Sequence, residues 1–213
     1  MAETQSELTA YYRRRAGEYE AIYAKPERQS DLLILKKKFC ELLKNARVLE
    51  VACGTGYWTT VIANAAASMT ATDLAEEPMN IARAKPYPRR NVTFVEADAY
   101  ALPESLGRFD AAFAGFWWSH VPRERIAEFT ASLHARLQPG ARVVMFDNLY
   151  VDGNSTPIVE TDAAGNTYQL RELADGSRFR VLKNYPTRDE LRALFPGIHY
   201  RALQYYWLAE YKV

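Results

Sequence analysis

Cysteine, histidine and net charge are all scarce in this sequence, and each scarcity excludes something. Two cysteines among 213 residues, Cys40 and Cys53, are too few for a disulfide framework or a thiolate metal cluster, so both are read as free thiols. His134 and His199 have no ligand spacing to each other or to an acidic cluster, and no metal is expected. The 27 basic and 26 acidic side chains leave a formal charge of +1. No global field then draws the chain to nucleic acid or to an anionic membrane, and a polyanionic substrate is not indicated. No apolar run approaches the ~20 residues that a membrane span needs, and residues 1–10 lack the apolar core of a secretion signal. A soluble, cytoplasmic protein is expected. Internal repeats and low-complexity tracts are also missing.

The information that is present concentrates in Arg47-Val48-Leu49-Glu50-Val51-Ala52-Cys53-Gly54-Thr55-Gly56-Tyr57-Trp58. An apolar strand with an acid near its end runs into a turn with two alternate glycines, where backbone bends sharply and approaches a ligand closely. A nucleotide-like cofactor is expected there. A dinucleotide fingerprint would place a third small residue five positions after its first glycine, but Thr59 and Tyr57 occupy the candidate positions. A phosphate-cradling loop would need Gly-Lys-Ser or Gly-Lys-Thr, and Gly56-Tyr57-Trp58 stands instead. Further on, Asp73 ends a short strand over 68–72, where its carboxylate can accept both hydroxyls of an unphosphorylated ribose. Asp98 follows the strand Val92 to Val95, placed to receive an adenine amino group.

Together with a fourth element, the strand Phe109 to Ala114, these features in this order resemble the class I S-adenosylmethionine-dependent methyltransferases over residues 46–149. Glu50 to Gly56 matches the family's first motif, with Ala52 in place of its first glycine. Asp73 matches the ribose-binding acid and Asp98 the adenine-binding acid. Phe109 to Ala114 matches the fourth strand, and Leu137-Gln138-Pro139-Gly140 leads into the fifth, as in the subgroup resembling the ubiquinone and menaquinone methyltransferases. The resemblance implies S-adenosylmethionine as cofactor and S-adenosylhomocysteine as product. It assigns Ala52, Gly54 and Gly56 to the methionine part, Glu50 to its ammonium through water, Asp73 to the ribose, and Asp98, Ala99 and Phe116 to the adenine, with Leu74 as a further cofactor contact. Tyr12 on the first helix corresponds to a region that closes over the cofactor in relatives, although packing of an amphipathic face explains Tyr11, Tyr12 and Tyr19 equally well.

The expected fold is α/β: a Rossmann-like, seven-stranded, mostly parallel sheet with helices on both faces, in a single domain over 1–213. Residues 1–45 form an N-terminal helical lid with helices over Gln5 to Ala24 and Ser30 to Lys44. Residues 46–149 form the cofactor-binding core, in which strands alternate with helices over 56–67, 76–84 and 122–137, and a strand follows over 141–149. Turn signals at Asp152-Gly153, Ala164-Gly165-Asn166 and Asp175-Gly176 mark an inserted antiparallel β-meander after strand 5 within 150–186. Residues 187–213 supply a helix opening on Thr187 and closing antiparallel strands.

Methyl transfer from a sulfonium is an in-line displacement, so the protein mainly aligns the acceptor and excludes water. After the fourth strand, Gly115-Phe116-Trp117-Trp118-Ser119-His120 leaves toward the cofactor. Trp117 and Trp118, with Tyr206 from the end of the chain, are the candidate acceptor contacts, and His120 is the candidate base or else a pocket-lining histidine. Arg13-Arg14-Arg15 reads as a solvated face, and Cys53 as a small packing residue. The expected acceptor is a small aromatic or heterocyclic metabolite, and the protein a monomer or homodimer. A nucleic-acid methyltransferase would carry an Asn-Pro-Pro-Tyr-like segment where Ala114-Gly115-Phe116-Trp117 stands. That reading, an NAD(P)-dependent oxidoreductase, and a non-catalytic S-adenosylmethionine-binding protein are the alternatives.

Overall fold

A computed structural model of the chain describes residues 2–87 and 90–213, with side chains from residue 7 at the N-terminal end. Helix α1 (Ala2–Arg15) gives way to a 3-10 segment over Ala16–Ala24, and α2 (Gln29–Leu42) follows. The single helix expected over Gln5 to Ala24 is therefore broken after Arg15, next to Gly17, the poorest helix former in that stretch. In α2, Leu32, Leu35 and Phe39 recur at helical spacing and are fully buried against the sheet.

The core alternates β1 (Arg47–Val51), α3 (Tyr57–Ile62), β2 (Ser68–Asp73), α4 (Glu76–Arg83), β3 (Val92–Glu96), β4 (Phe109–Gly115), α5 (Ile126–His134) and β5 (Leu137–Asn148). Helix α5 starts later than expected because Pro122 and a 3-10 turn over Arg123–Arg125 precede it. Strand β5 begins earlier than expected, at Leu137. It accommodates Pro139 through a register shift against β4 between Phe109 and Ala111, the kind of irregularity where a strand tolerates proline.

The seven-stranded sheet has the order β3-β2-β1-β4-β5-β10-β9, where β9 is His199–Ala202 and β10 is Tyr206–Lys212. Strands β1 to β5 are mutually parallel, and β10 and β9 close the sheet antiparallel. Helices cover both faces. One core gathers Leu35, Phe39, Trp58, Phe113 and Phe146, and the other Phe129, Leu133, Phe195, Trp207 and Tyr211. The order in which successive strands are laid down switches sides between β1 and β4, so the crevice beyond their C-terminal ends is where such a sheet binds ligands.

The meander is a separate antiparallel sheet of β6 (Ile158–Thr161), β7 (Thr167–Glu172) and β8 (Arg178–Leu182). Helix α6 (Arg188–Leu194) opens on Thr187 with a complete capping box to Glu190. Helix α1 lies between the meander and α4: Leu8 and Tyr11 pack with Leu173 and Val181, while Arg13 pairs with Glu77 at 3.2 Å. Among the described residues, no helix is long and apolar enough to cross a membrane.

Candidate active site

The turn after β1 is built from left-handed backbone. Ala52, Gly54 and Gly56 have φ of 53°, 54° and 75°. At Gly56 a Cβ would come within 2.7 Å of the Ala82 Cβ and 2.9 Å of the Tyr87 hydroxyl, so this glycine lets α4 pack on the turn rather than facing a ligand. Asp73 locks the turn from the neighbouring strand. Its two carboxylate oxygens accept the Gly54 N–H at 2.7 Å and the Ala75 N–H at 2.8 Å. Burial raises its pKa, and those backbone N–H groups pull in the opposite direction. Glu50 sits behind the turn, where its carboxyl accepts the Thr59 hydroxyl at 2.7 Å, and burial pushes its pKa up to about 8.

A cavity runs from this turn along the strand ends. Asp73 and Asp98 reach into it, between apolar walls from Leu74, Ala99, Phe116 and Trp117, and α1 roofs it with Leu8 and Tyr12. Asp98 accepts the Tyr100 N–H at 2.9 Å, which fixes the carboxylate's direction. Phe116 holds a φ of 55°, an unusual conformation for a bulky side chain.

Beyond Tyr12, Tyr19, Phe116 and His120, which line both spaces, a second cavity of about 440 Å³ opens under the meander. Its walls carry Arg15, Arg28, Arg171 and Lys183, with Glu18 and Glu172 as exposed carboxylates. Lys183 is buried and donates to the Ser119 hydroxyl at 2.6 Å and to the Asp147 carboxylate at 2.8 Å. Burial lowers the Lys183 pKa; Asp147 opposes this, while Arg171 and Arg15 add to it. Burial would raise the Asp147 pKa, but Lys183 and its other donors outweigh burial and keep it ionised below the usual range.

His120 stands where the cavities meet. Its Nδ1 lies 2.7 Å from the Leu182 carbonyl and its Nε2 lies 2.7 Å from the Tyr12 hydroxyl. Burial, then the neighbouring Lys183 charge, pushes its pKa down to about 3, so the ring is neutral near pH 7. A carbonyl only accepts, so Nδ1 carries the proton and Nε2 accepts from Tyr12.

The comparisons with known proteins agree with this geometry. The methyltransferase-domain family profile matches residues 48–140, from β1 to the start of β5. A demethylmenaquinone methyltransferase of Staphylococcus carnosus (strain TM300) is 26% identical over 74% of this chain and 69% of its own length. The solved DhpI–SAH complex superposes with a TM-score of 0.80 at 28% identity, over 99% of this chain and 97% of its own. The chain is a class I S-adenosylmethionine-dependent methyltransferase. The DhpI–SAM–HEP complex is similar to the same degree, with a TM-score of 0.80 at 25% identity over 97% of this chain and 96% of its own.

The methyltransferase's own donor set fits its cofactor. Asp73 and Asp98 present carboxylate oxygens beside apolar walls, which suits a ribose diol and a flat purine. Of the residues expected from the sequence, Tyr12, Ala52, Gly54, Asp73, Leu74, Asp98, Ala99, Phe116, Trp117 and His120 all line this cavity. Glu50 and Gly56 stand behind it and shape the turn. Tyr206 lines the second cavity, where its hydroxyl accepts from Arg28 at 3.4 Å. Trp118 is not brought to the site as expected: it is buried, with its ring against Phe195 and Phe129 at centroid distances of 5.7 and 6.3 Å. The adjacent tryptophans diverge because Trp118 opens a 3-10 turn that sends its ring into the core.

The arginine run also divides. Arg13 and Arg14 face solvent, paired with Glu77 and Asp175, but Arg15 turns to the second cavity. Lys183, Asp147 and Arg171 had no place in the sequence reading. Asp147 left a signal, as a lone acid ending the apolar run Val143-Val144-Met145-Phe146 in a buried strand; Arg171 left none, since charges in a hairpin ordinarily face water.

Proposed function

We propose that this methyltransferase transfers its methyl group to an anionic oxygen of a small acceptor, such as an organic phosphate, phosphonate or carboxylate, held in the second cavity. The observation that carries this reading is the crowding of Lys183, Arg171 and Arg15 at one cavity, where among the described residues Asp147 alone forms an ion pair with a member of the trio. Like charges gathered in a partly dry space repel one another, and a bound anion relieves that repulsion. Cations of this kind also hold an acceptor oxygen in line with the reacting carbon. The bound cofactor supplies an activated methyl group on a sulfonium. An ionised acceptor already carries the attacking lone pair, so no side chain has to remove a proton. That assigns His120 to holding Tyr12 rather than to base catalysis. It also replaces the aromatic or heterocyclic acceptor expected from the sequence, since Trp118 faces the core and the inner wall is cationic.

The role of each cofactor contact belongs to the same proposal: Asp73 for the ribose, Asp98 with Ala99, Phe116 and Trp117 for the adenine, and the Ala52–Gly54 backbone for the methionine part. Methyl transfer to a panel of small phosphates, phosphonates and carboxylates, beside phenols and amines, tests the acceptor class. Turnover of the anions alone is expected, and turnover confined to phenols or amines would overturn the reading.

A further inference from the structure

Arg15 is the last residue of α1, at the point where the helix breaks into the 3-10 segment. Its guanidinium lies over the rings of Tyr11 and Tyr19, at 5.5 and 5.3 Å, and it makes no hydrogen bond or ion pair to the described residues. Of the other cations of the second cavity, Lys25 is exposed to solvent, and the rest are engaged: Arg28 with Asn148 and Asn154, Arg171 with Gln169, and Lys183 with Asp147 and Ser119. Arg15 is thus a cation facing a cavity with its donors unspent, and it is carried by the roof. Arg171 and Lys183 belong to the meander side of the same space.

We propose that Arg15 couples the two ligands: an anion in the second cavity bridges Arg15 on α1 to Arg171 and Lys183 on the meander side, and so holds α1 down over the cofactor. This rests on the anionic-acceptor reading and goes beyond it. Leu8 and Tyr12 of α1 cover the cofactor cavity, so whatever fastens α1 also closes that cavity. Helix α1 is already anchored on the meander by Leu8 and Tyr11, which pack with Leu173 and Val181, and its polar fastenings are modest. Two are exposed ion pairs, Arg13–Glu77 and Arg14–Asp175, of a kind that contributes little in water, and one is the Tyr12–His120 hydrogen bond. A ligand that binds the closed arrangement better shifts the population toward it. Linkage then makes the effect mutual: the anion tightens the cofactor product, and the product tightens the anion by the same factor. The enzyme would hold its cofactor most firmly when an acceptor is in place.

The test is calorimetric titration of S-adenosylhomocysteine with and without saturating inorganic phosphate, at constant ionic strength. The product's sulfur is neutral, so direct attraction between phosphate and a sulfonium does not enter. Phosphate is expected to lower the dissociation constant of S-adenosylhomocysteine about fivefold or more, the range of ordinary coupling between sites. Arg15→Gln should reduce this gain below about twofold, Arg15→Lys should restore part of it, and Arg14→Gln, one residue away on the outer face, should keep it. A thermal unfolding midpoint near wild type shows that Arg15→Gln is folded. Phosphate that binds without changing the product's affinity, or full tightening in Arg15→Gln, overturns the coupling. Failure of phosphate to bind the wild-type enzyme overturns the anionic-acceptor reading instead.

Discussion

The Tyr12 hydroxyl on α1 donates to the His120 Nε2 across 2.7 Å, and this contact stands at the boundary between the two cavities. The opposite ring nitrogen is fixed by the Leu182 carbonyl of β8, so one neutral imidazole joins the roof, the loop after β4 and the meander. The expected consequences follow from its neutrality. The folded His120 pKa of about 3 lies below the ordinary 6.5, so between those values the unfolded chain binds a proton that the native ring refuses. Stability from this group is complete above pH 6.5 and is lost as pH falls toward 3. His120→Leu should flatten that acid dependence in urea titrations. Turnover of the wild type should show no limb near pH 6.5, and a limb there that vanishes in the variant would restore His120 as a base.

Glu50 carries the opposite sign. Its folded pKa of about 8 exceeds the ordinary 4.5, so the native state holds a proton that the unfolded chain has released. The contribution is full below pH 4.5 and is lost as pH rises through 8. Glu50→Gln keeps an acceptor for the Thr59 hydroxyl and should gain stability relative to wild type between pH 5 and pH 8, by at least about 1.4 kcal/mol, the equivalent of one pKa unit. Equal differences at both pH values would show that the carboxyl ionises normally.

Asp73→Ala removes the acceptor for the Gly54 and Ala75 N–H groups together with the carboxylate that faces the cavity. Affinity for S-adenosylhomocysteine should fall more than about tenfold, the scale of one charged hydrogen bond. An unchanged dissociation constant would sink the ribose assignment.

Ala52 has a φ of 53° at the position where the first motif of relatives carries glycine. A left-handed conformation costs a residue with a Cβ roughly 1–2 kcal/mol, and glycine escapes it. Ala52→Gly should therefore raise the unfolding free energy by about 1 kcal/mol after the entropy that glycine adds to the unfolded chain. Chemical denaturation measures this, and a clear loss of stability would mean that the turn bears no strain at this residue.

Lys183 and Asp147 are both buried and depend on each other. Lys183→Met should destabilise the protein by about 3–5 kcal/mol, because it leaves a buried carboxylate uncompensated. The double variant Lys183→Met with Asp147→Asn should recover most of that loss. Turnover of an anionic acceptor should not return with it, since the fold is repaired while the cation is still missing. Full turnover in the double variant would remove Lys183 from acceptor binding.

The parts legible in the sequence are those governed by neighbours along the chain. Alternating apolar runs specified the parallel strands, the turn signals after Leu149 marked the meander, and Thr187 announced the last helix; each depends on local backbone preference or periodicity. The cofactor site belongs largely to this class because Asp73 and Asp98 stand at strand ends, and parallel strands bring their ends to one edge. The second cavity does not. Arg15 and Lys183 lie far apart in the chain and meet only because α1 packs on the meander, so neither residue's surroundings announce the other. The same holds for the diverging tryptophans: Trp117 lines the cavity while Trp118, opening a 3-10 turn, is buried in the core. Local pattern thus determined the fold and the place of the cofactor site, and resemblance to a family supplied the cofactor's identity, whereas the charge of the second cavity arose from long-range packing that places like charges around a shared space.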